Sequence, residues 1–183
     1  MRRAGIQPEL LLLMGGALVL AALVGPLIWK QRLVRRQQLT QAGARALAYS
    51  ASRFYSEYGI WPTRRTRPPA DVRFGREIPN AEVLRALMGV EGAGNEGHGL
   101  NTFRTPFFRP PAYEPGRAGI DPSGEFLDPW GTPYQIVLDT SLNGQCDVPD
   151  SMYDGFRKGG VLVWSCGPDR RSDTRDDIRS WTP

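Results

Sequence analysis

The chain is poor in the side chains that most enzymes use for chemistry. It has one histidine, His98, and two cysteines, Cys146 and Cys166, in 183 residues. No GxSxG nucleophile elbow and no HExxH zinc motif occurs, and a lone histidine leaves little to act as a general base. The Gly-rich stretch GVEGAGNEGHG at residues 89–99 lacks the lysine and flanks of a phosphate-binding loop, so His98 reads as a loop residue. RNA- and DNA-binding motifs are missing too. Acidic residues are scarce at the start: residues 1–67 hold 11 Lys or Arg against Glu9 and Glu57 alone. Such a basic stretch suits a solvated helix face beside anionic lipid headgroups.

What is present begins with an apolar run. Residues 10–29 are 20 uncharged, almost wholly apolar positions. At 1.5 Å per residue they reach ~30 Å, the thickness of a bilayer core. The run ends in Leu27, Ile28, Trp29 and then Lys30, without the small-x-small site of a cleaved signal, so permanent anchoring is expected. After it, Leu39, Gly43, Ala46, Leu47, Ser50, Ala51, Phe54 and Tyr58 recur at three- and four-residue steps, the mark of an amphipathic helix. Gly59 and Pro62 stop that helix near Tyr58. If continuous from about Pro8, it extends ~75 Å.

The remaining ~150 residues make one domain. With 21 Gly and 16 Pro, its loops must be long. A second helix is expected over residues 81–88, with Asn80 as N-cap and Gly89 beyond its end. Residues 89–125 read as loop. PYQIVLD at 133–139 and VLVWSC at 161–166 read as strands that pair antiparallel, Tyr134, Ile136 and Leu138 facing the long helix. Asp128-Pro-Trp-Gly suits a type I turn ahead of the first.

Eight aspartates lie between Asp139 and Asp177. Asp169, Asp173, Asp176 and Asp177 are close enough for one loop to gather their carboxylates around calcium, which takes six to eight oxygens. The alternative is an exposed loop neutralised by Arg170, Arg171 and Arg175. Asp139, Ser141, Asn143 and Gly144 mimic the start of an EF-hand loop, although Asn143-Gly144 is equally a hairpin turn. Cys146 and Cys166 allow one intramolecular pairing, which would make sense only in an oxidising compartment such as the periplasm. Two free thiols are the alternative.

Several of these motifs together resemble the major pseudopilins of type II secretion and the wider type IV pilin-like family. Glu9 leads the apolar helix and Pro26 follows 17 residues later. ALAYSASRFYSEYGIWPT at 46–63 is similar to the family's helix end, DPWGTPY at 128–134 to its DPWGxPY signature, and WSCGPDRRSDTRDDIRSW at 164–181 to its C-terminal loop. The resemblance covers most of the chain except residues 64–125.

It implies a pilin-like α+β fold: a long N-terminal helix, transmembrane then amphipathic, packed on a small antiparallel sheet with a loop-rich C-terminal region. Residues 1–9 become leader and anchor start, 10–29 the transmembrane helix, and 30–183 a periplasmic head that includes the helix continuation. The implied function is a non-enzymatic structural subunit of a secretion or pilus-like fibre. Its partners are other pseudopilin subunits and inner-membrane secretion machinery, and nucleic acid is not among them. Calcium would stabilise the head, with Asp169 and the Asp176/Asp177 pair matching the family's ligands best. Glu9 and Pro26 become assembly residues. The family's processing cut, counted back from Glu9, falls between Ala4 and Gly5, where the family has glycine in the place of Ala4. Arg2 and Arg3 precede the span while Lys30, Arg32, Arg35 and Arg36 follow it, so a positive-inside count alone favours a cytoplasmic head. The resemblance puts the head in the periplasm, and that orientation is the one expected. A membrane-tethered, non-assembling periplasmic calcium-binding domain is the alternative.

Overall fold

A continuous helical pattern followed by Gly and Pro should give one long helix with a sharp end, and the computed structural model has it: α1 is Pro8–Tyr58, with Pro26 inside it. The structure describes residues 8–66, 70–148 and 156–181, the side chains of 8–21, 23 and 156–158 excepted. Ala4 and Gly5 therefore lie outside the described residues, as does the side chain of Glu9. Gly59 ends α1 at φ 68°, its N–H donating to the Tyr55 carbonyl at 2.8 Å. That left-handed turn favours glycine because a Cβ crowds the backbone there.

The chain divides into two compact units, Met1–Arg36 and Gln37–Pro183. In the first, most side chains of the apolar run fall outside the described residues. Among the described residues, no helix is long and apolar enough to cross a membrane.

Among the described residues, the second unit holds the last part of α1, helix α2 (Ala81–Met88) and eight short strands. These strands are β1 (Val72–Phe74), β2 (Gly119–Ile120), β3 (Phe126–Leu127), β4 (Gln135–Leu138), β5 (Gln145–Asp147), β6 (Phe156–Lys158), β7 (Val161–Ser165) and β8 (Ile178–Arg179). The main sheet runs β1-β4-β7-β8, antiparallel throughout, and β2-β3 and β5-β6 form two small ribbons. The expected pairing of the two long strands is present, with Ile136 opposite Val163 and Leu138 opposite Val161.

Both faces of the β4/β7 pair are covered, which explains why these strands read as nearly continuous apolar runs. One face puts Tyr134, Ile136, Leu138 and Val163 into a core with Ala44, Leu47, Ala51 and Phe54 of α1 and Val83, Leu84 and Leu87 of α2. The other puts Val137, Leu162 and Trp164 with Cys146 and Val148, and Trp181 packs against them. Tyr134 is the keystone of the helix–sheet contact. Its ring stacks on Phe126 at 4.6 Å and its hydroxyl donates to the Thr40 carbonyl of α1 at 3.1 Å. Gly43 makes this approach feasible, since a Cβ there would lie 2.9 Å from the Tyr134 hydroxyl.

Three expectations are corrected. Asn80 stands at the N-cap of α2, but its side chain makes no cap bond. It instead donates to the Phe126 and Tyr134 carbonyls and accepts the Phe126 N–H, fastening α2 to the turn between β3 and β4. Asn143-Gly144 does not fold β5 back on β4, because β5 pairs with β6. Residues 89–125 are also more ordered than a loop. They contain the Glu96–His98 3-10 turn and β2, and the buried Asn95 and Asn101 bond several of their backbone groups.

The cysteine pairing is not formed: both thiols are free and buried. Cys146 sits in the cluster with Leu162, whereas Cys166 lies four residues farther along the chain, just past β7. Burial, reinforced by Asp177 and Asp128, pushes the Cys166 thiol up to about 12. Burial also raises that of Cys146, whose S–H points at the Gly159 carbonyl at 3.2 Å. Neither thiol should react with a maleimide at about pH 8 in the folded chain, and two should react after denaturation. Rapid labelling of the native protein would contradict this packing.

Candidate functional site

The aspartates singled out in the sequence lie in the loop between β7 and β8. Two anchors fix it. At its entrance, Ser165 Oγ donates to Asp128 Oδ2 at 2.6 Å and accepts the Gly167 N–H at 3.0 Å. Asp128 meanwhile accepts the Trp130 and Thr132 N–H groups through Oδ1, both at 2.9 Å, and its carbonyl closes the turn by accepting the Gly131 N–H at 3.0 Å. The expected turn is thus present. The fully buried aromatic of DPWGTPY is Tyr134, while Trp130 is only half-buried.

The second anchor comes from β1, a strand too short to show any period. Arg73 reaches over the Trp164 ring at 4.8 Å and donates to Ser172 Oγ at 2.8 Å, and Trp164 Nε1 meets the same hydroxyl at 3.3 Å. Arg73 and Ser172 were not among the expected site residues. No signal in the sequence connects them, because they are brought together only when β1 joins the sheet.

Inside the loop the carboxylates turn onto the backbone. Asp176 Oδ2 accepts the Asp169 N–H at 3.1 Å, Asp177 Oδ2 the Asp173 N–H at 2.9 Å, and Asp169 Oδ1 the Arg171 N–H at 2.8 Å. Thr174 Oγ1 lies 2.6 Å from Asp176 Oδ1 and 3.4 Å from Asp177 Oδ1. Gly167, at φ 67°, packs against the Asp176 carbonyl with no room for a Cβ. Arg170 and Asp173 adopt left-handed backbone at φ 59° and 76°, unusual without glycine.

The distribution of charge is the reverse of an acidic tip. Asp173, Asp176 and Asp177 are half-buried, whereas Arg170, Arg171 and Arg175 are exposed beside Asp169. Burial alone would raise the Asp176 carboxyl, but bonds from the Thr174 hydroxyl and the Asp169 N–H, its own N–H and the neighbouring Asp169 carboxyl outweigh it. The result lies below the usual range. Asp176 is therefore an anion at neutral pH. Among the described residues, no group of three or more His, Cys, Asp or Glu is placed to hold a metal ion.

The second aspartate-rich turn is likewise satisfied by its own chain. Asp139 accepts the N–H groups of Asn143 and Gly144 and the Ser141 hydroxyl. Asp71 ties it to β1 by accepting the N–H groups of Ser141 and Asp147.

Asp128 titrates in the opposite sense to Asp176. Burial raises its carboxyl above the ordinary value of 3.8, against the lowering effect of Ser165, Thr132, Trp130 and Arg170. A raised carboxyl means the folded state binds the proton more tightly than the unfolded chain. Its contribution to stability is therefore largest at acid pH and declines as pH rises from about 3.8 through the folded value. Asp128→Asn should remove that decline while keeping the Oδ1 bonds. Melting temperature measured against pH for both chains checks it, and parallel curves would refute it.

Compared with family models, curated proteins and solved structures, the chain gives no significant match.

Proposed function

We propose that this chain is a pseudopilin-like structural subunit, anchored in the inner membrane by residues 10–29 before assembly, its head in the periplasm and stabilised by calcium. The observation that carries the reading is the 2.6 Å bond between Asp128 and Ser165. The two segments most similar to pseudopilins, DPWGTPY and SCGPD, are thereby fastened to each other beside the aspartate loop, 37 positions apart. The packing of α1 on an antiparallel sheet through Tyr134 supports it as well.

Asp169, Asp173, Asp176 and Asp177 would hold the ion once Asp169, Asp176 and Asp177 turned from the backbone N–H groups they accept, since as placed the described residues form no metal-holding group. Their donor set is all oxygen, the chemistry a hard cation prefers, and Asp176 is held ionised. The ion would neutralise carboxylates that repel one another and so stiffen the loop. At 100-fold over its Kd, calcium should stabilise the full-length chain in detergent by about 2.7 kcal/mol. Asp169→Ala and Asp176→Ala should each remove most of that gain. A melting temperature indifferent to both calcium and chelator would take calcium out of the proposal.

A tether that stays monomeric is the second reading, favoured by Ala4 standing where the family has glycine. The mass of the mature N-terminus separates the two. An intact N-terminus on a monomeric chain supports the tether, and cleavage between residues 4 and 5 supports the subunit.

A further inference from the structure

The 11 Lys and Arg of residues 1–67 do not all serve one purpose. Three of those in the second unit are engaged by the head. Arg45 Nε donates to the Ser180 carbonyl at 3.4 Å, Arg53 lies over the Phe107 ring at 5.8 Å, and Arg65 pairs with Glu82 at 2.7 Å. In the first unit, Lys30, Arg32 and Arg35 are exposed. Among the described residues, their side chains make no ion pair, hydrogen bond or ring contact.

The composition of α1 explains why. Its carboxylates are Glu9 and Glu57 alone. At 1.5 Å per residue, Arg32 stands ~35 Å past the first and Arg35 ~33 Å before the second, so no acid on the helix reaches either. Arg32 and Arg35 are three positions apart and share a face with Arg36. Like charges at that spacing repel until something neutralises them.

Their neighbours on the helix select the neutralising group. The 20 uncharged residues 10–29 end at Trp29, which is 68 % exposed, and Leu27 beside it is 62 % exposed. An apolar run, then an indole, then cations is the order in which a helix leaves a bilayer. If residues 10–29 fill the hydrocarbon core, Lys30 to Arg35 occupy the next ~8 Å of helix. The headgroup layer on each side is about 5–7 Å deep, so these three cations stand among lipid phosphates. Two of the three are arginines, whose planar fork suits a phosphate by two parallel bonds. A zwitterionic headgroup brings its own ammonium beside the phosphate, and only a net anion relieves the repulsion along α1.

We infer that Lys30, Arg32 and Arg35 form a collar that binds the headgroups of anionic phospholipids where the span ends. This rests on the anchored reading and names lipid as a partner of that anchor. The test uses the full-length chain in phosphatidylcholine vesicles carrying a trace of spin-labelled phosphatidylglycerol or spin-labelled phosphatidylcholine, and compares the immobilised fraction of each. A cation near an anionic surface is worth about fivefold. Phosphatidylglycerol should therefore be preferred at least about fivefold at low salt, and the preference should collapse in 1 M NaCl, where charges are screened beyond about 3 Å. Replacing all three, Lys30→Gln, Arg32→Gln and Arg35→Gln, should bring the two lipids to parity without changing the melting temperature of the head. The same charge loss at exposed head positions, Arg104→Gln, Arg109→Gln and Arg117→Gln, should leave the preference intact.

Equal association of both lipids with the parent chain would overturn the collar, as would a preference that survives in the collar variant. A preference lost equally in the head variant would assign it to net charge and also overturn the collar. In each of these cases a chain that resists alkaline extraction from the vesicles keeps the anchored reading. A chain released by alkaline extraction overturns anchor and collar together.

Discussion

Tyr134→Ala should lower the stability of the head by about 3–5 kcal/mol, the range for truncating a large buried aromatic. For a unit of this size that is a fall in Tm of roughly 10 °C. Three losses combine. The ring is fully buried, its stacking partner Phe126 loses a face, and the Thr40 carbonyl loses its tie to the sheet. Tyr134→Phe keeps the first two and should cost only about 1 kcal/mol. Thermal unfolding of the full-length chain in detergent measures both. Equal melting temperatures for the alanine variant and the parent would mean that α1 is not held to the sheet at this point.

The second large effect is expected at Asn80. Alanine there strips the Phe126 and Tyr134 carbonyls of a donor and the Phe126 N–H of its acceptor, all in a buried setting. Each orphaned group costs about 1–3 kcal/mol, offset in part where a carbonyl keeps another donor. Phe126 does, since its carbonyl also accepts the Tyr134 N–H at 3.0 Å. A net loss of about 2–4 kcal/mol follows. The substitution Asn80→Asp should be worse at neutral pH, because a carboxylate would face two carbonyl oxygens with nothing to donate. An N-cap role alone predicts the reverse order, since aspartate is as good a cap as asparagine. The ranking of the two variants by melting temperature therefore decides between clamp and cap.

These two residues also mark how far the sequence could be read. Tyr134 was legible. Period-2 alternation puts it with Ile136 and Leu138 on one face, and the only long apolar stripe available to meet that face was the one containing Gly43, Leu47 and Phe54. The ends of α1 and α2 were legible too, because Gly59 and Gly89 carry their signal in the local backbone. For Asn80 the position was right and the role was wrong. A local rule sees a side chain before a helix, and cannot see the backbone of residues 126 and 134 arriving beside it.

The same limit applies around the aspartate loop. Sequence spacing grouped Asp169, Asp173, Asp176 and Asp177 correctly in one loop, but not the direction in which each would turn. Their inward bonds to backbone N–H groups, and the outward Arg170, Arg171 and Arg175, follow from the left-handed turns at 167, 170 and 173. Two of those turns are at residues that give no glycine-like warning. Arg73 was invisible for another reason. Three residues of β1 carry no period, and their partner strand lies more than sixty positions away.

That strand order sets a timetable for the chain as it leaves the ribosome. β1 has no neighbour until β4 is made, and β4 lacks its other neighbour until β7 follows. Long-range pairings of this kind form late, because the intervening chain must first be closed into a loop. For most of its synthesis the nascent polypeptide must therefore carry the bare apolar stripe of α1 without the sheet that will cover it. A holding chaperone is the natural shelter for such a chain, and releasing it before β7 emerges would favour aggregation over folding.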